Sequence, residues 1–367
     1  MKILYTIPNF DTAGSGKALL ALATRLDRAQ FEPHICCDHD HGAFFAVVRA
    51  SGIPIHLAAS TSKVEHHPRM FWHCWRNRQL FKGFDLVHSF HYGNDYTEPL
   101  AARLAGCKWV FTKKNMSWGG AGKRAWWLRS RLANGIIAQN TDMIRFFFPG
   151  SKKVRLIPRG VDTRIFFPRP PDNTLYNEFH LPPEAKIILT VANLVPIKGI
   201  EHLITAFSRL AGASPNTVLC IVGDDRNDYG QQLKIQARAL LPEQRICFTG
   251  KQHDISAFLS IATCLVLPTL SRGEGSPVAV LEAMAAGVPV VASAVAGIRD
   301  QLAGFPDQLF RPGDATALAE ALRRQLTLPA AARAAIIERQ LAVIHERYTI
   351  EREVQEHEAF YHQVLAR

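Results

Sequence analysis

The chain has 367 residues, of which 47% are hydrophobic, and its formal net charge at pH 7 is +11. This length favours about two domains, and the hydrophobic content is ordinary for a globular protein with sizeable cores. The sequence has no uninterrupted apolar run of about 18 residues that would span a membrane, and its seven cysteines form no C-x-x-C pair. We therefore expect a cytosolic protein with reduced cysteines, without a transmembrane helix, a secretory leader or a zinc site.

The positive charge lies in the N-terminal half of the chain. Residues 1–180 hold 25 Lys and Arg against 13 Asp and Glu, whereas the remaining residues hold 18 against 19. Such an asymmetry indicates an anionic partner, which is a membrane surface, a phosphorylated acceptor or nucleic acid. Plain solubility is the alternative that the charge distribution leaves open.

Short apolar runs alternate with amphipathic stretches along the whole chain. Many of the runs are continuous in Val, Ile and Leu, which is typical of parallel strands buried on both faces. Strands that alternate with helices predict an α/β fold of doubly wound parallel sheets. The predicted strands are Lys2–Ile7, Glu32–Asp38, Pro54–Ala58, Asp85–Ser89, Lys108–Thr112, Gly135–Ala138, Val154–Ile157, Lys186–Ala192, Thr217–Val222, Arg245–Thr249, Cys264–Leu267 and Val288–Ala292.

A stretch rich in Pro and Asp, Phe167–Thr174, predicts a linker between two such domains. We therefore place the domains at residues 1–170 and 171–345. Residues 346–367 are predicted to form a separate C-terminal helix, since they are charged and lack a strand pattern.

Two glutamates separated by seven residues mark the most informative segment, Ser271–Val291. Glu274 precedes a Gly-Ser-Pro turn, and Glu282 lies in the helix that this turn is expected to start. Ser276 suits the N-cap of that helix. Pro277 suits its first position, because the N–H that proline lacks would have had no partner there.

The start of this helix is a candidate anion site. The N–H groups of Gly275, Ser276 and Val278 would face a ligand, and a helix N-terminus attracts phosphate. Glu274 and Glu282 flank the site with oxygens that only accept hydrogen bonds, which suits hydroxyl groups on both sides of a phosphate. A nucleotide sugar has such hydroxyls on its ribose and on its hexose.

This segment resembles the E-x7-E motif of glycosyltransferase family 4, the large retaining family with the GT-B fold. The resemblance implies two Rossmann-like domains, each with a doubly wound parallel sheet, that face a cleft. The N-terminal domain would bind the acceptor and the C-terminal domain the nucleotide sugar. Glu274 would face the donor sugar as a catalytic residue, and Glu282 would hold the ribose hydroxyls. The last helix, Arg352–Leu365, would return to pack on the N-terminal domain.

Two loops of the C-terminal domain resemble donor-binding loops of the same family. In the loop that begins at Asn193, Lys198 matches a lysine that neutralises the donor diphosphate and acts in catalysis. Asn193 stands where the family has an arginine, and Arg159 is expected to substitute for that cation. The turn Gly223-Asp224 resembles a turn that lies near the nucleotide base.

Three places in the N-terminal half match family positions. Gly14-Ser15-Gly16 resembles the glycine-rich loop that approaches the sugar diphosphate, although a strand-to-helix turn explains it equally. His88 and His91 resemble the family's H-x-H at a strand end, with the second histidine displaced by one residue. They are expected to be catalytic, with packed histidines as the alternative. Lys114 stands where many relatives have a histidine, which suggests a more anionic ligand, and Lys114 and Asn115 are expected to bind the acceptor.

No metal ion or other cofactor is expected. Asp38-His39-Asp40 has the D-x-D spacing with which GT-A glycosyltransferases hold a metal and a diphosphate. It follows the second strand of a domain that shows no other GT-A feature. We interpret it as a solvated turn.

Two predicted helices, 70–82 and 123–131, combine aromatic and basic side chains, as interfacial membrane helices do. The alternative is a core-packing helix face with extended arginines at its rim. Such residues also suit single-stranded nucleic acid, but no RNA-binding motif is present, and no nucleic-acid partner is expected. The side chains predicted to contact an anionic membrane are Trp72, Trp75, Arg76, Arg78, Trp126, Trp127 and Arg129.

The expected function is retaining transfer of a hexosyl group from a nucleotide diphosphate sugar to an acceptor hydroxyl, in the synthesis of a cell-surface glycan or glycolipid. Its partners would be that donor and a glycan or lipid-linked acceptor. The enzyme would lie in the cytoplasm or on the inner face of the membrane. Two alternatives stay open: a GT-B sugar-nucleotide epimerase and a non-enzymatic polyanion-binding protein.

Overall fold

The computed structural model describes residues 1–11, 13–62, 69–118, 123–271 and 274–367. The chain divides into two compact units. The N-terminal unit consists of Met1–Pro158 together with Ile350–Arg367, and the C-terminal unit of Arg159–Thr349.

The division between the units falls after Pro158 and not near residue 170. Val161 is 2% exposed in a hydrophobic cluster of the C-terminal unit, and its N–H donates to Tyr348 O at 2.8 Å. The N–H of Asp172 donates to Ser260 Oγ at 3.0 Å. The stretch that the sequence suggested as a linker is therefore packed within the C-terminal unit.

The N-terminal unit is a parallel sheet covered on both faces. Its strands are β1 (Lys2–Thr6), β2 (Glu32–Cys37), β3 (Ile55–Leu57), β4 (Leu86–Ser89), β5 (Lys108–Lys113), β6 (Gly135–Ala138) and β7 (Val154–Leu156). The helices of this unit that precede Pro158 are α1 (Ala13–Arg25), α2 (Phe45–Ala50), α3 (Met70–Phe81), α4 (Thr97–Leu104), α5 (Lys123–Leu132) and α6 (Thr141–Phe147). Within the described residues the strand order is β3-β2-β1-β4-β5-β6-β7. Ile3 and Tyr5 enter one hydrophobic cluster and Leu4 enters another, because successive side chains of a strand point to opposite faces.

The C-terminal unit repeats this architecture. Its strands are β8 (Lys186–Val191), β9 (Thr217–Val222), β10 (Ile246–Gly250), β11 (Ala262–Leu267), β12 (Val290–Ser293) and β13 (Leu309–Phe310). Its helices are α7 (Thr174–Glu178), α8 (Ile200–Leu210), α9 (Asp228–Leu240), α10 (Ile255–Ile261), α11 (Val278–Ala285), α12 (Ile298–Gln301), α13 (Ala315–Thr327) and α14 (Ala330–Arg347). Over the residues described, the parallel strands follow the order β10-β9-β8-β11-β12-β13.

The predicted fold class is confirmed, since both units are doubly wound parallel α/β sheets. Every predicted strand is present within two residues of its expected bounds. The sequence did not predict β13, whose two residues are too few to show a periodic pattern.

The last helix, α15 (Ile350–Leu365), belongs to the N-terminal unit. Phe360 and Tyr361 are 3% and 0% exposed and enter the same hydrophobic cluster as β1. The Tyr361 hydroxyl lies 3.1 Å from the Tyr5 hydroxyl. A Cβ at Gly135 of β6 would lie 2.5 Å from Phe360 Cζ, so only glycine lets α15 approach the sheet this closely.

None of the described helices is long and apolar enough to cross a bilayer. The cysteines are free, and most of them are buried.

Candidate functional site

Glu274 and Lys198 meet at the carboxyl edge of the C-terminal sheet. Lys198 lies in a short 3-10 turn after β8, and Glu274 lies in the loop after β11. Lys198 Nζ forms a close ion pair with Glu274 Oε1, and the Thr269 hydroxyl donates to the same oxygen at 2.9 Å. The two charged side chains are 18% and 9% exposed. In open α/β sheets ligands bind at this edge, and here it presents a cation and a carboxylate in contact.

Gly199 fixes the position of Lys198. Its φ of +64° lies in the left-handed region, and a Cβ there would lie 2.4 Å from Pro268 O. The turn that carries Lys198 therefore packs directly on the end of β11. This contact places the lysine beside the loop that holds Glu274.

The predicted start of the helix between the two glutamates is wrong by one residue. α11 begins at Val278, and Pro277 occupies the N-cap position in an extended conformation. Ser276 lies one residue before the N-cap and does not cap the helix. Its hydroxyl instead accepts a hydrogen bond from Gln301 Nε2 at 3.2 Å. Gln301 also donates to Pro277 O at 3.2 Å, so α12 holds the turn in place.

The loop and helix that follow Glu274 keep the order that the sequence suggested. Glu274 and Gly275 are buried, and Glu282 is partly exposed on α11. The first N–H groups of any α-helix have no partner within the helix, and those of α11 begin at Val278. Arg272 and Gly273, which precede Glu274 in the motif, lie outside the described residues.

Arg159 lies beside this turn. Its backbone N–H donates to Ser276 Oγ at 3.4 Å, and the residue is 8% exposed. Asn193, at the position of the family's arginine, is exposed after β8. The structure thus brings Arg159 to the helix start, in the same unit as Lys198.

The turn after β9 lies at the same edge of the sheet. The N–H of Gly223 donates to Gly250 O at 3.0 Å, which ties the ends of β9 and β10 together. The Asp224 carboxylate forms two hydrogen bonds of 2.8 Å with the Arg226 guanidinium. These bonds lower the pKa of Asp224 to about 2, so it remains ionised.

In the N-terminal unit, the glycine-rich loop and Lys114 come together. Gly14, Ser15 and Gly16 lie in the first turns of α1, and Ser15 Oγ lies 2.5 Å from the Tyr92 hydroxyl. Lys114 Nζ donates to Ser15 Oγ at 3.1 Å and lies 3.5 Å from the centre of the Tyr92 ring. A cation therefore lies at the start of α1.

Asn115 is held by a lysine that the sequence did not single out. Lys113, which is 2% exposed, donates from Nζ to Asn115 O at 2.5 Å, to Asn115 Oδ1 at 3.0 Å and to Ser117 O at 2.5 Å. Burial, with a smaller effect from Arg129, lowers the pKa of Lys113 to about 7. A buried lysine at the end of β5 looks like any strand lysine in the sequence.

The two histidines occupy different environments. His88 is 0% exposed, with Nδ1 2.7 Å from the Tyr361 hydroxyl and Nε2 2.7 Å from Thr112 Oγ1. Burial lowers its pKa well below the usual range. This geometry favours the packed strand-end histidine over a catalytic role for His88, since both ring nitrogens are occupied.

His91 is nearer to the surface of the unit. Its Nε2 lies 2.9 Å from Ser60 Oγ and 3.9 Å from Glu98 Oε1. Burial lowers the pKa of His91, although the Glu98 carboxylate opposes that shift.

Glu98 and Arg129 form a buried charged network that the sequence did not reveal. Glu98 accepts hydrogen bonds from Thr6 Oγ1 at 2.5 Å and from Ser89 Oγ at 2.6 Å. Burial raises the pKa of Glu98, but His91, Arg129 and the two hydroxyls outweigh it and lower the pKa overall. Arg129 donates to two backbone oxygens, at 2.8 and 3.2 Å. The network lies at the ends of β1 and β4.

The membrane prediction for α5 is partly wrong. Trp126 is 3% exposed and Arg129 is 0% exposed, so neither can contact a membrane surface. Trp127, in contrast, is 63% exposed. In α3, Trp72 and Trp75 are 53% and 54% exposed.

The Asp38-His39-Asp40 turn enters no metal cluster formed by the described residues. Across the residues that the structure describes, no group of three or more His, Cys, Asp or Glu side chains is arranged to hold a metal ion. His39 Nε2 lies 4.0 Å from Asp11 Oδ2, and Asp40 lies near His41 and Arg49.

Comparison with solved structures identifies the architecture. The crystal structure of Anabaena HepE in complex with UDP superposes with a TM-score of 0.85 at 20% identity, covering 99% of this chain and 100% of the other. The protein therefore has the GT-B fold of two Rossmann-like units.

Sequence comparison identifies the family. Residues 12–165 match the model described as Glycosyltransferase Family 4, and residues 173–341 match the model described as Glycosyl transferases group 1. The chain belongs to this family of glycosyltransferases, which confirms the resemblance inferred from the E-x7-E segment.

Two curated relatives align with part of the chain. N-acetyl-alpha-D-glucosaminyl L-malate synthase of Bacillus anthracis is 28% identical over 217 residues, which are 59% of this chain and 55% of the relative. GDP-mannose-dependent alpha-(1-6)-phosphatidylinositol monomannoside mannosyltransferase of Mycolicibacterium smegmatis is 32% identical over 157 residues, 41% of each chain. The chain thus spans about half the length of the curated relatives it matches.

Proposed function

We propose that the chain transfers a hexosyl group from a nucleotide diphosphate sugar to an acceptor hydroxyl with retention of configuration. The observation that carries this proposal is the ion pair of Lys198 and Glu274 at the carboxyl edge of the C-terminal sheet. The first-turn N–H groups of α11 and the nearby Arg159 add donors for an anion. A diphosphate bound there would meet positive charge, and the sugar attached to it would meet a carboxylate.

The reaction follows from the charge that develops in it. As the bond between the sugar and the diphosphate breaks, negative charge grows on the departing phosphate oxygen. Lys198, Arg159 and the α11 donors would stabilise that charge, because preorganised donors are most effective where charge develops. We propose that these protein groups make a metal ion unnecessary. The departing phosphate would help to take the proton of the attacking hydroxyl on the same face of the sugar.

The relatives support the classes of donor and acceptor. HepE was solved with UDP. One curated relative is named for GDP-mannose and phosphatidylinositol monomannoside, and the other for malate. We propose a UDP- or GDP-sugar as donor and a glycan or lipid-linked acceptor that carries negative charge. The basic N-terminal half suits such an acceptor.

Replacing Glu282 with alanine is expected to weaken nucleotide binding by about 1.5–3 kcal/mol, because the ribose hydroxyls would lose their charged acceptor. A thermal-shift screen of UDP-, GDP- and ADP-sugars identifies the donor first, since a ligand stabilises the state that binds it. Isothermal titration of that nucleoside diphosphate then compares the wild type, Glu282→Ala and a control, Glu338→Ala, which is exposed on α14. An unchanged affinity in folded Glu282→Ala would remove the ribose assignment. Donor turnover that yields an epimer without an acceptor would favour the epimerase instead.

We propose that the exposed face of α3 holds the enzyme loosely on an anionic inner membrane surface. Arg76 lies 5.2 Å from the Trp72 ring centre, and Arg78 lies 3.8 Å from that of Trp75, so aromatic and cationic groups share this face. Each basic residue near such a surface contributes about 1 kcal/mol, and salt screens it.

Liposome flotation tests this association. We expect recovery with phosphatidylglycerol vesicles at low salt, loss at moderate salt, and weaker recovery of the double variant Arg76→Gln with Arg78→Gln. The control is Arg323→Gln, an exposed arginine of α13. Equal recovery with phosphatidylcholine vesicles, or none at low salt, would contradict the proposal.

A further inference from the structure

A cavity of about 400 Å³ opens against α5 in the N-terminal unit. Its walls include Trp118, Trp126, Trp127 and Phe147, and its basic side chains are Lys123 and Arg124. We call this cavity the α5 pocket. Its volume is in the range of pockets that bind small molecules.

The aromatic wall is largely preformed. The Trp118 and Phe147 rings pack edge to face with centres 4.7 Å apart. Trp126 is 3% exposed, and the Nζ of the buried Lys113 lies 5.0 Å from its ring centre. Trp127, which is 63% exposed, leaves a large apolar surface at the rim. An apolar chain would gain burial here without ordering these rings first.

The charge of the pocket is one-sided. Lys123 Nζ lies 5.7 Å from the Trp118 ring centre, and Arg124 is also a lining residue. No carboxylate is among the lining residues that the structure describes. Sugars offer hydroxyl donors as well as acceptors, and among the described lining side chains only the Ser130 hydroxyl can accept from them. This lining instead suits an apolar group that ends in an anion, because Lys and Arg bind phosphate through charge-assisted hydrogen bonds.

The pocket lies close in the chain to the predicted acceptor residues. Lys114 and Asn115 follow β5 directly, and Trp118 comes three residues after Asn115. The Nζ of Lys113 binds both Asn115 and Ser117, so this loop is fixed between β5 and Trp118. The aromatic wall and the predicted acceptor loop therefore belong to one connected segment.

We propose that the α5 pocket binds a phosphate-bearing lipid, with its apolar chain against the tryptophans and its phosphate at Lys123 and Arg124. This inference rests on the proposed glycosyl transfer, in which the lipid would carry the acceptor. The aromatic wall and the two basic side chains indicate this class of lipid, and no contact with a sugar is needed to infer it.

Tryptophan quenching by a brominated alkyl phosphate, 12-bromododecyl phosphate below its critical micelle concentration, tests the site directly. The background variant is Trp72→Phe with Trp75→Phe, which leaves the pocket tryptophans and Trp109, a residue that is 1% exposed. We expect saturable quenching by the phosphate probe. Inorganic phosphate alone should not displace the probe, and 12-bromododecanol should bind at least tenfold more weakly.

Variants locate the binding. Lys123→Gln with Arg124→Gln should raise the Kd of the phosphate probe at least tenfold, whereas Arg323→Gln, at an exposed position of α13, should leave it unchanged. Trp127→Ala, at an exposed position, should reduce quenching without unfolding the chain. Circular dichroism checks that each variant is folded.

Several outcomes would overturn the lipid site. These are equal binding of the alcohol and the phosphate, displacement by inorganic phosphate, an unchanged Kd in the α5 double variant, or binding to phosphatidic acid vesicles without binding of the monomeric probe. The assay uses neither donor nor transfer. A protein that binds a nucleotide sugar but not the probe contradicts the lipid site alone. A protein that binds the probe but transfers no sugar contradicts the proposed function alone.

Discussion

Lys198→Ala is expected to lower kcat by about 10²–10³-fold, the loss seen when one preorganised donor to a developing negative charge is removed. Lys198 Nζ is already positioned at the sheet edge by Gly199 and by its ion pair with Glu274. Its charge would act on the departing diphosphate more strongly than on the intact donor. The effect should therefore appear in kcat more than in the melting temperature.

Glu274→Ala is expected to have different effects on nucleotide binding and on sugar transfer, both of which we place at this edge of the sheet. Glu274 forms an ion pair with Lys198, so a diphosphate would compete with this carboxylate for the lysine. Removing the carboxylate frees Lys198, and free nucleoside diphosphate should bind as tightly as before or more tightly. Transfer should fall sharply, because the sugar loses its neighbouring carboxylate.

Steady-state kinetics and titration with the free nucleoside diphosphate check both variants. Lys186→Ala, at the opposite end of β8, is the matched control and should keep its kcat. If Glu274→Ala weakens binding of the free nucleotide as much as binding of the nucleotide sugar, its place beside the sugar is misassigned. The assays are run in EDTA. Complete loss of wild-type activity there, restored by manganese or magnesium, would contradict the proposal that protein donors replace a metal.

The largest loss of stability is expected from Phe360→Ala on α15, about 3–5 kcal/mol of the free energy of unfolding of the N-terminal unit. The Phe360 ring fills the space above Gly135, and the residue is 3% exposed in the cluster that contains Ile3 and Tyr5. Truncating it removes the buried ring and leaves a cavity against β6. Gln363→Ala, an exposed position of the same helix, is the matched control.

Hydrogen exchange followed by mass spectrometry distinguishes the units. In Phe360→Ala, amides of β1 and β4 should lose protection, whereas those of β8 and β9 should keep it, because the two cores are separate. Equal loss of protection in both sheets, or no loss in either, would contradict the place given to α15.

The secondary-structure elements that depend on a few neighbouring residues could be predicted from the sequence. Strands of both units could be predicted because buried parallel strands are continuous apolar runs. Lys198 and Glu274 lie 76 positions apart and could be paired only through the family resemblance, since spacing alone does not bring them together. Their direct ion pair was not predicted.

The predictions that failed depended on contacts distant in the chain. Ser276 was predicted to be an N-cap, but its hydroxyl accepts a hydrogen bond from Gln301 of α12. Arg129 looked like a surface cation, but backbone oxygens of residues 93 and 95 bind it in the interior. For His88 the sequence left a catalytic and a packed role open, and its contacts with Tyr361 and Thr112, which favour the packed role, also come from distant parts of the chain. None of these partners is adjacent in sequence to the residue that it binds.

The return of α15 to the N-terminal unit has a consequence for biosynthesis. A ribosome synthesises the strands of the N-terminal sheet first, yet Val354, Phe360 and Tyr361 of their core come only after the whole of Arg159–Thr349. During translation the sheet at Gly135 therefore stays uncovered while the C-terminal unit already has all of its residues. The half of the molecule that is made first is therefore the half whose core is completed last.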